Sequence, residues 1–295
     1  MKRKFLFNAF LIIFISASVS FIFNLLVVLF NLRNGMEQTL NAYIREGKKV
    51  MFDENFYPEE KDDLRFRWMK GNIASIDVVI PYDQVAVLEF FVHSYKRNKT
   101  VMLYVDDVKI DEIKVSPTRI KYVSPFMFLK RGLHKLVFIV EENCLQPLLF
   151  EPESNDTRCL QIAVGDFKVK ESNNILENLN KNGFYELEKD GNEFRWLSNH
   201  SKFTFISLKD YEYSLEFLGF SFKKNRNLTI FINNLNYSYL ITPSGNYVKL
   251  ISFFKKGKNQ IEFVTTCDTP LSLGVSKDYR CLSIRFEKIL IYPKD

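Results

Sequence analysis

Four cysteines carry the strongest chemical signal in the sequence. Cys144 and Cys159 stand 15 residues apart, Cys267 and Cys281 stand 14 apart, and each pair precedes a terminal apolar run. A disulfide closing a loop of about 15 residues contributes roughly 3 kcal/mol in the chain-entropy picture. Metal ligation competes with this reading, but neither pair has the short C-x-x-C spacing and no histidine lies within either. His93, His134 and His200 are dispersed, so neither a zinc site nor a Cys–His nucleophile is expected, and no metal site is assigned. Asp156 and Arg158 directly precede Cys159, and Asp278 and Arg280 directly precede Cys281. They are expected to form an ion pair or turn cap that fixes each disulfide loop; a polar ligand contact is the alternative. Arg67-Trp68 and Arg195-Trp196 pose a second choice. Either the tryptophan packs in a core with the guanidinium stacked on it, or the ring forms an exposed platform for the C–H face of a sugar.

Other catalytic chemistry is scarce. Adjacent carboxylates on a strand point to opposite faces, so Glu59-Glu60, Asp62-Asp63 and Glu141-Glu142 read as solvated turns rather than a glycosidase pair, which needs carboxyls about 5–9.5 Å apart across a cleft. There is no glycine-rich phosphate loop, no G-x-S-x-G elbow and no H-E-x-x-H. No enzymatic activity and no cofactor are expected. Asp106, Asp107 and Asp111 are candidate oxygen ligands for a structural calcium ion, with Asn233 and Asn234 the poorer counterparts in the second half.

These residues are ordered by an internal repeat. Phe56-Tyr57 and Phe66-Arg67-Trp68 recur as Phe184-Tyr185 and Phe194-Arg195-Trp196, at an offset of 128. Leu129–Gly132 matches Phe254–Gly257, Cys144-x-x-Pro matches Cys267-x-x-Pro, and Asp156-x-Arg-Cys-Leu matches Asp278-x-Arg-Cys-Leu. The offset drifts only to 122, as loop deletions would produce. Within the first copy, Ile73–Ile80, Val85–His93, Thr100–Val105, Val108–Val115, His134–Val140 and Leu160–Val169 alternate as strands do. Asp106-Asp107 and Asn233-Asn234 are candidate hairpin turns. The fold class expected is all-β: two tandem jelly-roll-like β-sandwiches.

Residues 5–30 form 26 consecutive uncharged positions behind Lys2, Arg3 and Lys4. As a helix they would span a hydrocarbon core of about 30 Å, with the basic tip in the cytoplasm and the remainder outside. A cleaved signal peptide is the alternative. The expected organisation is 1–33 cytoplasmic tip and transmembrane signal anchor, 34–51 juxtamembrane helical stalk, 52–171 first sandwich, 172–179 linker and 180–295 second sandwich. Beyond residue 31 there are 38 basic and 35 acidic side chains, too even a balance for nucleic-acid binding. Sequons at Asn98, Asn155, Asn199, Asn227 and Asn236 are candidate glycosylation sites.

The ordered set Phe-Tyr, Phe-Arg-Trp, a glycine before an apolar strand, Cys-x-x-Pro and Asp-x-Arg-Cys-Leu resembles the galactose-binding-like (jelly-roll) modules appended to prokaryotic membrane or envelope glycosyltransferases and surface proteins. The resemblance covers about 240 residues as two modules. It implies an envelope protein at the cell membrane that binds glycan or an envelope partner protein, or assembles as a homo-oligomer or surface structure. The other class it leaves open is an accessory subunit of a membrane glycosyltransferase, or a divergent glycan-active enzyme.

Overall fold

The computed structural model describes residues 21–294 except 23, 24, 27, 31, 36, 45–48, 152, 173, 180 and 181. The chain divides into two units, residues 1–49 and 50–295. In the first, the described residues between 28 and 44 are helical. The expected stalk is therefore helical to residue 44, while Val50 already belongs to a strand. Among the described residues no helix is long and apolar enough to cross a membrane. Most of the expected 5–30 anchor, including all of 5–20, lies outside the described residues.

The second unit is built from strands. Its first half contains β1 (Val50–Phe52), β2 (Glu60–Lys61), β3 (Arg65–Trp68), β4 (Ile73–Ile80), β5 (Gln84–Ser94), β6 (Lys99–Val105), β7 (Val108–Val115), β8 (Ile120–Val123), β9 (Phe126–Leu129), β10 (Gly132–Val140) and β11 (Ile162–Glu171). One sheet runs β1-β4-β10-β6-β7, and the facing sheet runs β9-β5-β11-β3-β2 with β8 also on β5. The alternation read from sequence is real: in β6, Lys99, Val101, Leu103 and Val105 are buried while Thr100, Met102 and Tyr104 are not. Asp106 and Asp107, at φ 46° and 65°, make the tight turn between β6 and β7.

The second half repeats the plan with β12 (Glu188–Asp190), β13 (Asn192–Trp196), β14 (His200–Ser207), β15 (Tyr211–Ser221), β16 (Arg226–Ile232), β17 (Leu235–Ile241), β18 (Asn246–Phe254), β19 (Gly257–Val264) and β20 (Ile284–Pro293). Here β14-β19-β16-β17 faces β12-β13-β20-β15-β18. Each half is thus a two-sheet β-sandwich with the same strand order.

The two sandwiches are not beads on a flexible linker. β9 of the first pairs in parallel with β14 of the second, Phe126 against Phe205 and Met127 against Ile206, so one sheet runs through both. Because neighbouring side chains on a strand point to opposite faces, this seam feeds both cores. Phe126, Phe128 and Phe205 join the core of the second sandwich, whereas Met127 and Ile206 join that of the first. The 172–179 segment contains a 3-10 turn at Ile175–Asn178, and its Ile175, Leu176 and Leu179 are buried in the second core.

Candidate functional site: the outer aromatic faces

The Arg-Trp dipeptides straddle their strands. Trp68 and Trp196 lie on the outer face of their sheets, while Arg67 and Arg195 turn the other way. Arg195 is buried and donates to the carbonyls of Leu176 (2.6 Å) and Tyr185 (2.8 Å). Arg67 points to the Tyr57 carbonyl (3.4 Å) and lies over the Phe52 ring. The expected stacking of each arginine on its own tryptophan is corrected: consecutive strand residues cannot share a face. These arginines fasten the entry segment of each sandwich, and the outer faces belong to the aromatic residues.

In the first sandwich that face gathers Phe66, Trp68, His93 and Tyr95 in edge-on contacts, with ring centroids 5.0–6.1 Å apart. Arg119 covers Phe66 and is gripped by Asp62 (2.6 Å) and Asp63 (2.7 Å). Burial, then the Arg119 charge, pushes the His93 pKa down. Trp68 is only 8% exposed, packed with Leu160, Tyr57 and Tyr95 in a satellite cluster outside the main core. Phe66, His93 and Tyr95 around it are half-buried.

The second sandwich differs in its tryptophan, which is half-buried rather than buried. Phe194, Trp196 and Phe222 make the same edge-on chain, but Trp196, Phe220 and Phe222 remain half-buried. The cation now comes from β20. Arg285 is held between the rings of Phe194 (4.9 Å) and Phe220 (4.8 Å) and is paired with Glu287 at 2.7 Å. Glu287 also accepts from Asn192. Partly open rings beside a fixed guanidinium and carboxylate offer apolar contact and directional hydrogen bonds side by side. A further pair recurs on both faces: Glu89 with Lys121 at 3.0 Å, and Glu216 with Lys249 at 2.7 Å. Burial would raise the Glu216 pKa. The Lys249 ammonium and the Tyr247 and Tyr292 hydroxyls outweigh it and hold the group at about 2. The shared Leu-Glu-Phe at 88–90 and 215–217 is the sequence trace of this pair, too short a match to stand out beside the longer repeats.

Both cysteine pairs are disulfide-bonded, with Cα atoms 5.3 Å apart in each. The residues beside them form a duplicated clamp. Arg158 binds Asp156 (2.7 Å) and Glu60 and lies over Tyr57, whose hydroxyl accepts the Cys159 amide at 3.1 Å. Arg280 binds Asp278 (2.7 Å) and Glu188 (2.5 Å) and lies over Tyr185, which accepts the Cys281 amide at 3.0 Å. Hydrogen bonding to each arginine lowers the pKa of Asp156 and Asp278. Asp62 and Asp63 are exposed bend residues, as the sequence reading has them, and Arg119 holds both; Glu60 instead lies on β2, half-buried, where Arg158 binds it.

The proposed calcium oxygens are not brought together. Asp106 accepts from His134 Nδ1 at 2.5 Å and from the Lys135 amide, while Asp111 pairs with Lys258 and accepts from Tyr122. In the second sandwich Asn233 takes Asn259 as its partner (2.9 Å) at the equivalent place. Among the described residues no group of three or more His, Cys, Asp or Glu could hold a metal ion. The five sequon asparagines, Asn98, Asn155, Asn199, Asn227 and Asn236, are all exposed.

No protein-family model matches this chain, and neither does any curated protein. Solved structures that match include the N-terminal tandem CBM22 domain of Paenibacillus barcinonensis Xyn10C. It is 7% identical over 84% of this chain and 94% of that one, at a TM-score of 0.28. The plant receptor-like kinase ANX2 is 10% identical over 82% of this chain and 89% of that one, at 0.34. A ruminal GH26 endo-β-1,4-mannanase is 19% identical over 38% of this chain, at 0.26, and the match spans only 21% of its length. Likenesses this distant carry no argument about activity. The sandwich assignment rests on the strand pairing described above.

Proposed function

We infer that the protein is a membrane-anchored, extracytoplasmic binding protein that recognises glycan on the outer face of its second sandwich, without turning it over. The observation that carries this reading is the half-buried aromatic cluster of Trp196, Phe220 and Phe222 beside the Arg285–Glu287 pair. Sugar rings present an apolar C–H face together with hydroxyls, and this surface offers a complement to both. Binding rather than catalysis is favoured because the carboxylates that might form a hydrolytic pair, Glu60, Asp62 and Asp63, are engaged by arginines. The external location is supported by the uncharged stretch 5–30 behind a basic tip and by two disulfides, which persist in oxidising compartments.

The test is a glycan array probed with the full chain in detergent, wild type beside Trp196→Ala and Trp68→Ala. Binding to a defined glycan class that Trp196→Ala weakens at least about tenfold, or about 1.4 kcal/mol, supports the proposal. An array without signal, or a signal indifferent to Trp196→Ala, sinks it.

A further inference from the structure

The seam between the two sandwiches encloses a cavity of about 220 Å³. Its walls are apolar: Phe128 of β9 on one side, and Leu208, Tyr211, Tyr213 and Pro293 of the second sandwich on the other. Phe128, Tyr213 and Tyr211 form a continuous line of rings, with successive centroids 6.3 and 5.8 Å apart. An apolar cavity of about 150 Å³ already holds benzene, so this one has room for a single ring with a short substituent.

The remaining lining is polar, and its net charge is positive. Lys130 and Lys209 are exposed at the rim, and neither ammonium pairs with a carboxylate among the described residues. That of Lys209 lies over the Tyr211 ring, 4.2 Å from its centroid. His134 faces two acceptors, the Asp106 carboxylate at 2.5 Å from Nδ1 and the Lys130 carbonyl at 2.8 Å from Nε2. Both contacts are satisfied when both ring nitrogens are protonated. That charge cancels Asp106, whose other oxygen accepts the Lys135 amide. The two ammonium groups are left uncompensated.

The second sandwich shows that the fold does not require an ionic pair here. Asn233 and Asn259 replace Asp106 and His134 and hold the equivalent turn as a neutral amide pair. Strand order and the pairing with β5 and β15 make Phe128 equivalent to Phe253 of β18, which is 48% exposed. The ionisable version thus stands where a neighbouring sandwich closes a cavity beside it. We propose that the seam cavity binds an aryl carboxylate, its ring against Phe128 and the two tyrosines and its carboxylate at Lys130 and Lys209. The aromatic walls complement the ring, and the carboxylate supplies the counter-charge that both lysines lack. A cavity of this size excludes an oligosaccharide, so the site is distinct from the outer face of the second sandwich.

Equilibrium dialysis of radiolabelled phenylacetate against the full chain in detergent, with detergent alone subtracted, reads affinity and stoichiometry. One equivalent per chain is expected, with Kd between about 10 µM and 1 mM for so small a ligand. Phenylacetamide, close in shape but uncharged, is expected to compete at least about fivefold more weakly. Lys209→Ala is expected to weaken phenylacetate by a similar factor and to erase its advantage over the amide. Leu208→Trp, which fills the cavity, is expected to abolish binding of both; Lys209, being exposed, keeps the test decisive if the larger side chain disturbs folding. Glucuronate, an anion without an aromatic ring, is expected not to compete. Four results would each overturn the proposal: no saturable binding above detergent, equal affinity for the amide, binding untouched by Lys209→Ala, or displacement by glucuronate at equal concentration.

Discussion

Arg158 and Arg280 each bridge two carboxylates and cover a tyrosine that receives the amide of a disulfide cysteine. A lysine keeps the charge but loses the planar fork that makes these contacts together. Arg158→Lys and Arg280→Lys should each cost about 1 kcal/mol, a modest figure because the side chains are about a third exposed. Urea unfolding checks it. The Asp-x-Arg-Cys motif was legible, but Glu60 and Glu188 were not, since they lie more than 90 residues away and only the fold delivers them.

The pair at the β6–β7 turn makes a pH prediction. Burial lowers the His134 pKa, but the hydrogen bonds to Asp106 and to the Lys130 carbonyl outweigh it and leave it raised above 6.5. The stability it contributes is therefore complete below pH 6.5 and is lost as pH rises through the folded value. Asp106 is shifted down by His134, so its contribution is lost only under acid conditions. The melting temperature should fall between pH 6 and 9. Asp106→Asn with His134→Asn, which installs the amide pair found at Asn233 and Asn259, should flatten that slope.

At the scale of elements, the strands were the readable part. Two-residue alternation placed Ile73–Ile80 and Val108–Val115 where β4 and β7 lie. Parallel pairing of β9 with β14 leaves no local trace, because it joins short segments 79 residues apart. The burial of the 172–179 linker leaves as little local trace. Its polar asparagines hide Ile175, Leu176 and Leu179, which are buried in the second core, with Arg195 bonded to the Leu176 carbonyl. Gly183, at φ +86°, opens the second sandwich's first turn, and a Cβ there would lie 2.0 Å from the His200 carbonyl oxygen. Gly183→Ala should cost at least about 1–3 kcal/mol by forcing that turn apart, measurable as a lowered urea midpoint.

For the whole molecule, the seam predicts that the two sandwiches unfold together. Scanning calorimetry of the full chain should give one β-domain transition. Phe126→Ala, made in the first sandwich but emptying the core of the second, should lower it by about 3–5 kcal/mol without splitting it. Duplication was plain in the sequence. What could not be read there is that the two copies use their outer faces differently: Trp68 lies beneath its neighbours, Trp196 stays half-open, and the β9 surface is buried where the β18 surface is bare.

Because the protein has only two tryptophans, fluorescence isolates the central claim. Trp68→Phe leaves Trp196 as sole reporter, and Trp196→Phe leaves Trp68. Titration with the strongest array glycan should shift or quench the emission of Trp68→Phe with saturation, and leave that of Trp196→Phe unchanged. A saturating response from Trp68 alone, or none from Trp196, would contradict the assignment of the second outer face as the binding site.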